Sequence, residues 1–358
     1  MTKELIGVQY LRALAVMLVV LHHAGATNLG PFGVQIFFVI SGFVMWLTTA
    51  GSDISPMSFW RRRIVRIVPL YWFFLSLLVV IALLSPQYLK STVISLENVI
   101  KSFLFIPHFH AVQKIVAPIL IPGWSLNYEM FFYFIFGIAF LIKSDFRRAI
   151  VIGIFLWSLV LLGLWLKPET PVAATYTNPD LLLFLEGILL AIIYRAYNVD
   201  NVVVGLILIV IGVVSRAVGV TSDFGLFESL MGLPATLIVA GVLALEPTLR
   251  RAPSVLLHTT GNASYSIYLS HLFFLRLSEL SWLHLAVGGS GRVLGLTYVA
   301  FSFIFALGGG IAVHYLIERP ILHFFSSKKS VLKRGERGDR DCATSELALR
   351  NKTTSAGF

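Results

Sequence analysis

Stretches of nearly twenty apolar residues recur along this chain, and that feature limits the fold more than any other. Ten of them run over residues 6–24, 33–50, 65–85, 124–143, 149–166, 180–197, 202–220, 224–245, 262–280 and 296–325. An α-helix rises ~1.5 Å per residue, so ~20 residues cross the ~30 Å hydrocarbon layer of a bilayer. Only helices and closed barrels satisfy their backbone polar groups in that layer. Barrel strands read as alternating segments of ~10 residues, and these runs do not alternate. The expected fold is an all-α integral membrane protein, about ten transmembrane helices in one bundle. Composition agrees: 57% of the 358 residues are hydrophobic and 13% charged, where an average soluble domain carries ~25% charge. A soluble enzyme, a disordered regulator and a disulfide-rich secreted module are excluded. A single cysteine, Cys342, makes neither an intramolecular disulfide nor a thiolate metal cluster. The segment 91–106 is shorter and more mixed, and reads as an interfacial or re-entrant piece.

The net charge of +10 would raise nucleic acid as a partner for a soluble chain. Here the basic residues lie between apolar runs, so the charge reads as topology and nucleic acid is not expected. With both termini in the cytoplasm, alternating spans place twenty Lys and Arg on the cytoplasmic side and six on the other, as the positive-inside rule requires. An odd number of spans would break that asymmetry. Lys3, Arg12, the run Ala13–Leu21 and Ala24-Gly25-Ala26 imitate a cleaved signal peptide. The His22-His23 pair before the would-be cleavage site argues for a retained first span. Two regions are expected: 1–325, the membrane domain, and 326–358, a polar, basic, disordered cytoplasmic tail that touches anionic lipid at most. No internal repeat of the transporter kind is visible.

Ionisable groups inside spans are costly and mark functional positions. They are Arg12, His22, His23, Glu129, Glu186, His271, Arg276, His314 and Glu318. A polar residue satisfied by a neighbouring helix is the simpler explanation for any one taken alone. Arg12 and His23 are eleven residues apart, ~16 Å and about three turns along a helix, so they share a face. Imidazole is the side chain best suited to moving a proton near neutral pH. His22 points ~100° away from His23 and is the less favoured of the two. Arg61, Arg62, Arg63 and Arg66 form the densest basic cluster before the tail. An ordinary positive-inside anchor accounts for them. Yet four guanidinium groups with no lysine also match phosphate oxygens in pairs, so an anionic phosphate ligand is expected with equal weight. Trp124 and Glu129 open the fourth span from the outer side, where His23 is the obvious partner for the carboxylate. His108-x-His110 lacks a third ligand, and no metal site is expected. Gly308-Gly309-Gly310 reads as a close-packing or kinking element.

Six segments, in order across the chain, resemble those of the membrane acyltransferase-3 family. They are Ile6–Ala15 through His23, Gly33–Phe43, the arginine cluster, Trp124–Glu129, Gly261–His271 and Ile317-Glu318-Arg319-Pro320. Gly7-Val8-Gln9-Tyr10-Leu11-Arg12 and Phe37–Trp46 look most like the exopolysaccharide, succinoglycan-type O-acetyltransferase branch. The resemblance implies a multi-pass protein of the bacterial cytoplasmic (inner) membrane. It implies transfer of an acetyl group from acetyl-CoA, a co-substrate with no bound cofactor, to a sugar hydroxyl. The acceptor would be an exopolysaccharide, another surface glycan, or a lipid-linked precursor. The family's arginine and histidine of the first span fall on Arg12 and His23, with His23 as general base. Its basic donor-binding motif falls on Arg61, Arg62, Arg63 and Arg66, and its tryptophan-to-glutamate motif on Trp124 and Glu129. His22, Ser41, Tyr265 and His271 are further candidates within the matched segments.

Three departures lower the number of acids: Gln35, Met130 and Gln9-Tyr10 stand where the family often has carboxylates. Glu129 is then the expected orienter of His23. Both direct transfer and an acetyl-histidine intermediate are open, with direct transfer expected. A flippase for a lipid-linked glycan, or a non-catalytic export subunit, is the alternative. Neither would need a thioester donor.

Overall fold

Helix follows helix through the computed structural model, which describes residues 4–85, 95–113, 115–197, 200–219, 232–285 and 292–325. The first half contains α1 (Ile6–His23), α2 (Gly30–Thr49), α3 (Pro56–Leu84), the short α4 (Leu96–Phe103) and α5 (Trp124–Ile138). Then come α6 (Asp145–Leu166), α7 (Pro171–Tyr176), α8 (Leu181–Ala196) and α9 (Val202–Gly219). The last group is α10 (Leu233–Ala244), α11 (Glu246–Arg251), α12 (Val255–Asn262), α13 (Ser264–Leu285) and α14 (Arg292–Val313), followed by a π-helical turn, His314–Glu318. Among the described residues the only β feature is an isolated bridge between Phe109 and Val116.

Each of the ten apolar runs overlaps a helix. Among the described residues, six helices are long and apolar enough to cross a membrane: Ile6–His23, Gly30–Thr49, Pro56–Leu84, Ile121–Leu141, Asp145–Leu166 and Leu294–Phe325. Part of the run predicted at 224–245, and all of the expected tail at 326–358, lie outside the described residues. The exposed surfaces of α6 and α9 are apolar, with Ile154, Leu161 and Trp165 on one and Val203, Leu206, Ile207 and Val210 on the other. Such surfaces are stable against lipid, not water. This is a multi-pass membrane protein.

Within the expected interfacial segment, α4 is a two-turn helix capped by Ser95, whose hydroxyl accepts from Asn98 N at 3.2 Å. Leu96, Ile100 and Leu104 are exposed at four-residue spacing, one apolar stripe.

The bundle centres on α2, which is mostly apolar and buries thirteen of its twenty residues, from Gly30 to Thr49. Its closest neighbour is α8, and reciprocal glycines set the approach. A Cβ at Gly42 would lie 2.0 Å from the Phe184 carbonyl oxygen, and one at Gly187 would lie 2.1 Å from that of Val39. Both obstacles are backbone and cannot rotate away. Small residues let the two helix backbones touch, which is how helices associate where water provides no driving force. Phe184 of α8 then stacks between Phe38 of α2, at 4.7 Å, and Phe132 of α5, at 4.4 Å. On α14, Gly310 lies against Ile267 of α13, where a Cβ would sit 2.6 Å from the Ile267 Cα.

The chain forms two units, Met1–His314 and Tyr315–Phe358. In the second, the Arg319 guanidinium lies 5.2 Å from the centroid of the Tyr315 ring.

Candidate active site

Helix α1 carries Arg12 in its first half and His23 as its last residue. No side chain of its own caps its N-terminus, which leaves backbone N–H groups in need of acceptors. Glu246, the first residue of α11 and 3% exposed, supplies them from far along the chain. Its two carboxylate oxygens accept from Ile6 N at 2.9 Å and Gly7 N at 2.7 Å. A carboxylate there also complements the positive end of the helix dipole. Arg250 completes the arrangement with an ion pair to Glu246 at 2.8 Å.

At the other end of α1, His23 is an exposed residue whose ring is held in place. Its Nδ1 lies 2.9 Å from the Val19 carbonyl oxygen. A carbonyl only accepts, so Nδ1 carries the proton. In the neutral ring Nε2 then keeps its lone pair. His271, on α13 and fully buried, packs against His23 at a centroid distance of 4.8 Å, with its Nε2 3.3 Å from His23 Nδ1. His22 points elsewhere: its Nδ1 donates to the Thr27 carbonyl at 2.9 Å. Its ring rests on Gly30, where a Cβ would fall 2.6 Å from ring carbons.

Between α1, α2, α3, α5 and α13 lies a cavity of about 360 Å³. Its walls include three guanidinium groups, those of Arg12, Arg63 and Arg66, and two carboxylates, Glu4 and Glu129. Val34, Phe37, Phe38, Ile40, Val44 and Met45 of α2 form an apolar side. Arg12 Nε donates to Ser264 Oγ at 3.2 Å. The Arg63 guanidinium sits 5.6 Å from the Phe59 ring and 5.8 Å from the Tyr133 ring. Its buried Nε has no hydrogen-bond partner among the described residues. Glu129 Oε1 accepts from Ser41 Oγ at 3.2 Å and from the Tyr133 hydroxyl. Tyr265 also lines the cavity and donates to the Ile67 carbonyl at 2.7 Å.

Ser125 and Tyr268 line the cavity as well, their hydroxyl oxygens 2.7 Å apart. The Tyr268 hydroxyl donates to Pro122 O at 2.9 Å. The same residue's backbone carbonyl accepts from His271 Nδ1 at 2.7 Å. Tyr268 thus joins the cavity wall to the histidine pair. An anionic head with a thin arm fits the cavity chemically: guanidinium groups for the charges, apolar wall for the arm.

One expectation is corrected. The hydrogen bonds of Glu129 go to Ser41 and Tyr133, and those of His23 go to Val19 and His271. The expected His23–Glu129 pair does not form among the described residues. Glu129 lies on the second turn of α5 and faces the cavity, whereas His23 ends α1 and meets α13. Of the four arginines, Arg63 and Arg66 line the cavity, while Arg61 and Arg62 are exposed and do not. Successive helical residues turn by ~100°, so four arginines within six positions cannot share one face. Trp124 starts α5 and packs edge-on against Phe38 at 6.4 Å and Tyr128 at 5.8 Å. It supports α2 and α5 next to the cavity.

His108 and His110 are used locally. His108 Nδ1 donates to Ile106 O at 2.9 Å, and His110 Nδ1 accepts from Val112 N at 3.4 Å and Gln113 N at 3.3 Å. Gln35, one of the missing acids, has an acid beside it after all: its amide donates to Asp180 Oδ1 at 3.5 Å. Sequence reasoning missed Glu246, Tyr268 and Ser125. Only Tyr268 left a signal, one turn before His271 on the same helix.

The acyltransferase domain family matches residues 5–315 of the chain. The exopolysaccharide production protein ExoZ of Rhizobium meliloti is 33% identical over 298 residues, which is 82% of this chain and 90% of that protein. The acyltransferase MdmB of Streptomyces mycarofaciens is 26% identical over 340 residues, 85% of this chain and 84% of its own. The O-acetyltransferase OatA of Staphylococcus aureus is 30% identical over 175 residues, 44% of this chain and 28% of its own. No solved structure matches.

Proposed function

The chain belongs to the acyltransferase-3 family, and from that premise we propose that it is an O-acetyltransferase of the inner membrane that modifies an exopolysaccharide or its lipid-linked precursor. The observation that carries the proposal is the cavity with three guanidinium groups, joined through Tyr268 to the histidine pair that holds His23. Its relatives' names support the substrate class: one is an exopolysaccharide production protein and another an O-acetyltransferase. Acetyl-CoA is the donor in this reading. Arg63 and Arg66, with Arg12 deeper, take its phosphates from the cytoplasmic side. The orphaned Arg63 Nε supports this, because a buried donor left unpaired costs ~1–3 kcal/mol that a ligand oxygen recovers. The pantetheine arm lies along the apolar side of α2, and Glu129 meets its amide N–H groups.

His23 Nε2 accepts the proton of the sugar hydroxyl. The hydroxyl oxygen bonds to the acetyl carbonyl carbon, and the carbon–sulfur bond breaks. The leaving CoA thiolate takes the proton from His23, which restores the neutral ring. Transfer is direct in this scheme, and no acetyl group rests on His23.

The test supplies radiolabelled acetyl-CoA and membranes containing lipid-linked glycan to the purified protein. Label should enter the glycan with wild type and drop by at least about 100-fold with His23→Ala. Equal labelling by both would remove His23 from the chemistry. Label retained on His23 without acceptor would replace direct transfer with a covalent intermediate. A flippase would move glycan with no donor at all.

A further inference from the structure

We infer that His271 is a positioning residue for His23: it fixes which ring nitrogen is basic and strengthens the base as it takes up a proton. The inference rests on the reading of His23 as the base.

His271 is fully buried on α13, and its Nδ1 lies 2.7 Å from the Tyr268 carbonyl oxygen. That carbonyl can only accept, so His271 Nδ1 bears the hydrogen and its Nε2 is an acceptor. The acceptor faces His23 Nδ1 at 3.3 Å. His23 Nδ1–H is therefore shared between two acceptors, Val19 O at 2.9 Å and His271 Nε2. The opposite tautomer of His23 would turn the Nδ1 lone pair toward both of them. Two acceptors exclude it more firmly than the helical carbonyl alone. In the neutral ring the reactive Nε2 is thus the nitrogen without a hydrogen, on a residue that is exposed.

The second effect comes during the reaction. When Nε2 takes the hydroxyl proton, the ring becomes a cation. Its Nδ1–H···Nε2 bond to His271 becomes charge-assisted and stronger than in the ground state. An interaction that strengthens only as charge develops raises the rate without tightening substrate binding. A carboxylate does this for the histidine of a serine triad; here a neutral, buried imidazole occupies that place. No atom leaves His271, so the step stays balanced: one proton moves from hydroxyl to His23 and on to the thiolate.

The test combines kinetics with a spectroscopic signature. His271→Ala should lower kcat by about 10- to 100-fold, the worth of one hydrogen bond to a charged group, with KM for acetyl-CoA changed less than about twofold. His271→Gln, whose side-chain oxygen can accept from His23, should recover part of that loss. In histidine-labelled wild-type protein, ¹⁵N NMR should show the His23 ring as the Nδ1–H tautomer, with the resonance assigned by its loss in His23→Ala. In His271→Gln the tautomer should persist. An unchanged kcat in His271→Ala, a rise in KM alone, or an Nε2–H tautomer in the wild type would each overturn the inference. The two readings fail separately. An active His23→Ala removes the base itself, whereas an inactive His23→Ala beside a fully active His271→Ala removes only the positioning role.

Discussion

Arg63 and Arg66 line the cavity, while Arg61 and Arg62 do not. A cluster of four arginines says nothing about which two matter, because that depends on how α3 is rotated. The rotation is set by what α3 buries: Phe59, Ile67, Leu70 and Phe74. Counted along that face in steps of three or four, positions 63 and 66 fill the gap between Phe59 and Leu70. The pair was therefore legible from apolar spacing, had the cluster been read against it. Arg63→Gln and Arg66→Gln should each raise KM for acetyl-CoA about 10-fold, as for loss of one charge-assisted hydrogen bond. Arg61→Gln and Arg62→Gln should change it less than about twofold, and initial rates against donor concentration decide between the two outcomes. Glu129 was legible as a buried acid, but not all of its partners were. Tyr133 lies one turn along the same helix, but Ser41 is reached only where α2 meets α5, a contact between residues 88 positions apart.

Elements were easier to read than their contacts. Apolar runs mark helices because the membrane demands them, so each run found its helix. Caps and crossings are tertiary facts: the cap of α1 is a glutamate 240 residues away. The α2–α8 crossing depends on Gly42 and Gly187, glycines that resemble any others in sequence. Gly42→Ala should cost roughly 1–3 kcal/mol, since its Cβ would meet unyielding backbone. Thermal unfolding in detergent should show a lower midpoint, and an unchanged midpoint would mean that the helices separate without cost. In the loop between α4 and α5, burial and the neighbouring His108 push His110 below the usual histidine range. Its folded pKa is thus below its unfolded value, ~6.5. The neutral ring's stabilisation is complete above that value and is lost as pH falls through the lower, folded pKa. Amide hydrogen exchange at Val112 and Gln113, whose N–H groups point at His110 Nδ1, should speed up relative to neighbouring loop amides at pH 5 compared with pH 7.5.

At the scale of the molecule, the basic residues predict the orientation: twenty Lys and Arg on one side and six on the other, with both termini in the cytoplasm. A reporter active only in the cytoplasm should be active when fused after Phe325 and silent when inserted at Gln113. The reverse pattern would invert the bundle and put the arginine-lined cavity on the side without acetyl-CoA. Helix α1 acquires a particular meaning in that frame. Glu246 grips its first backbone amides, and the ring proposed to do the chemistry is its last residue. From Ile6 to His23 the helix is ~25 Å long. It is a lever with its fulcrum at one face of the membrane and its working tip at the other. A tilt of ~1° at the fulcrum carries the tip ~0.4 Å, close to the ~0.5 Å within which a reacting group must be held. Whatever disturbs the hold of Glu246 at the first turn of α1 is therefore felt, magnified, at the helix's far end.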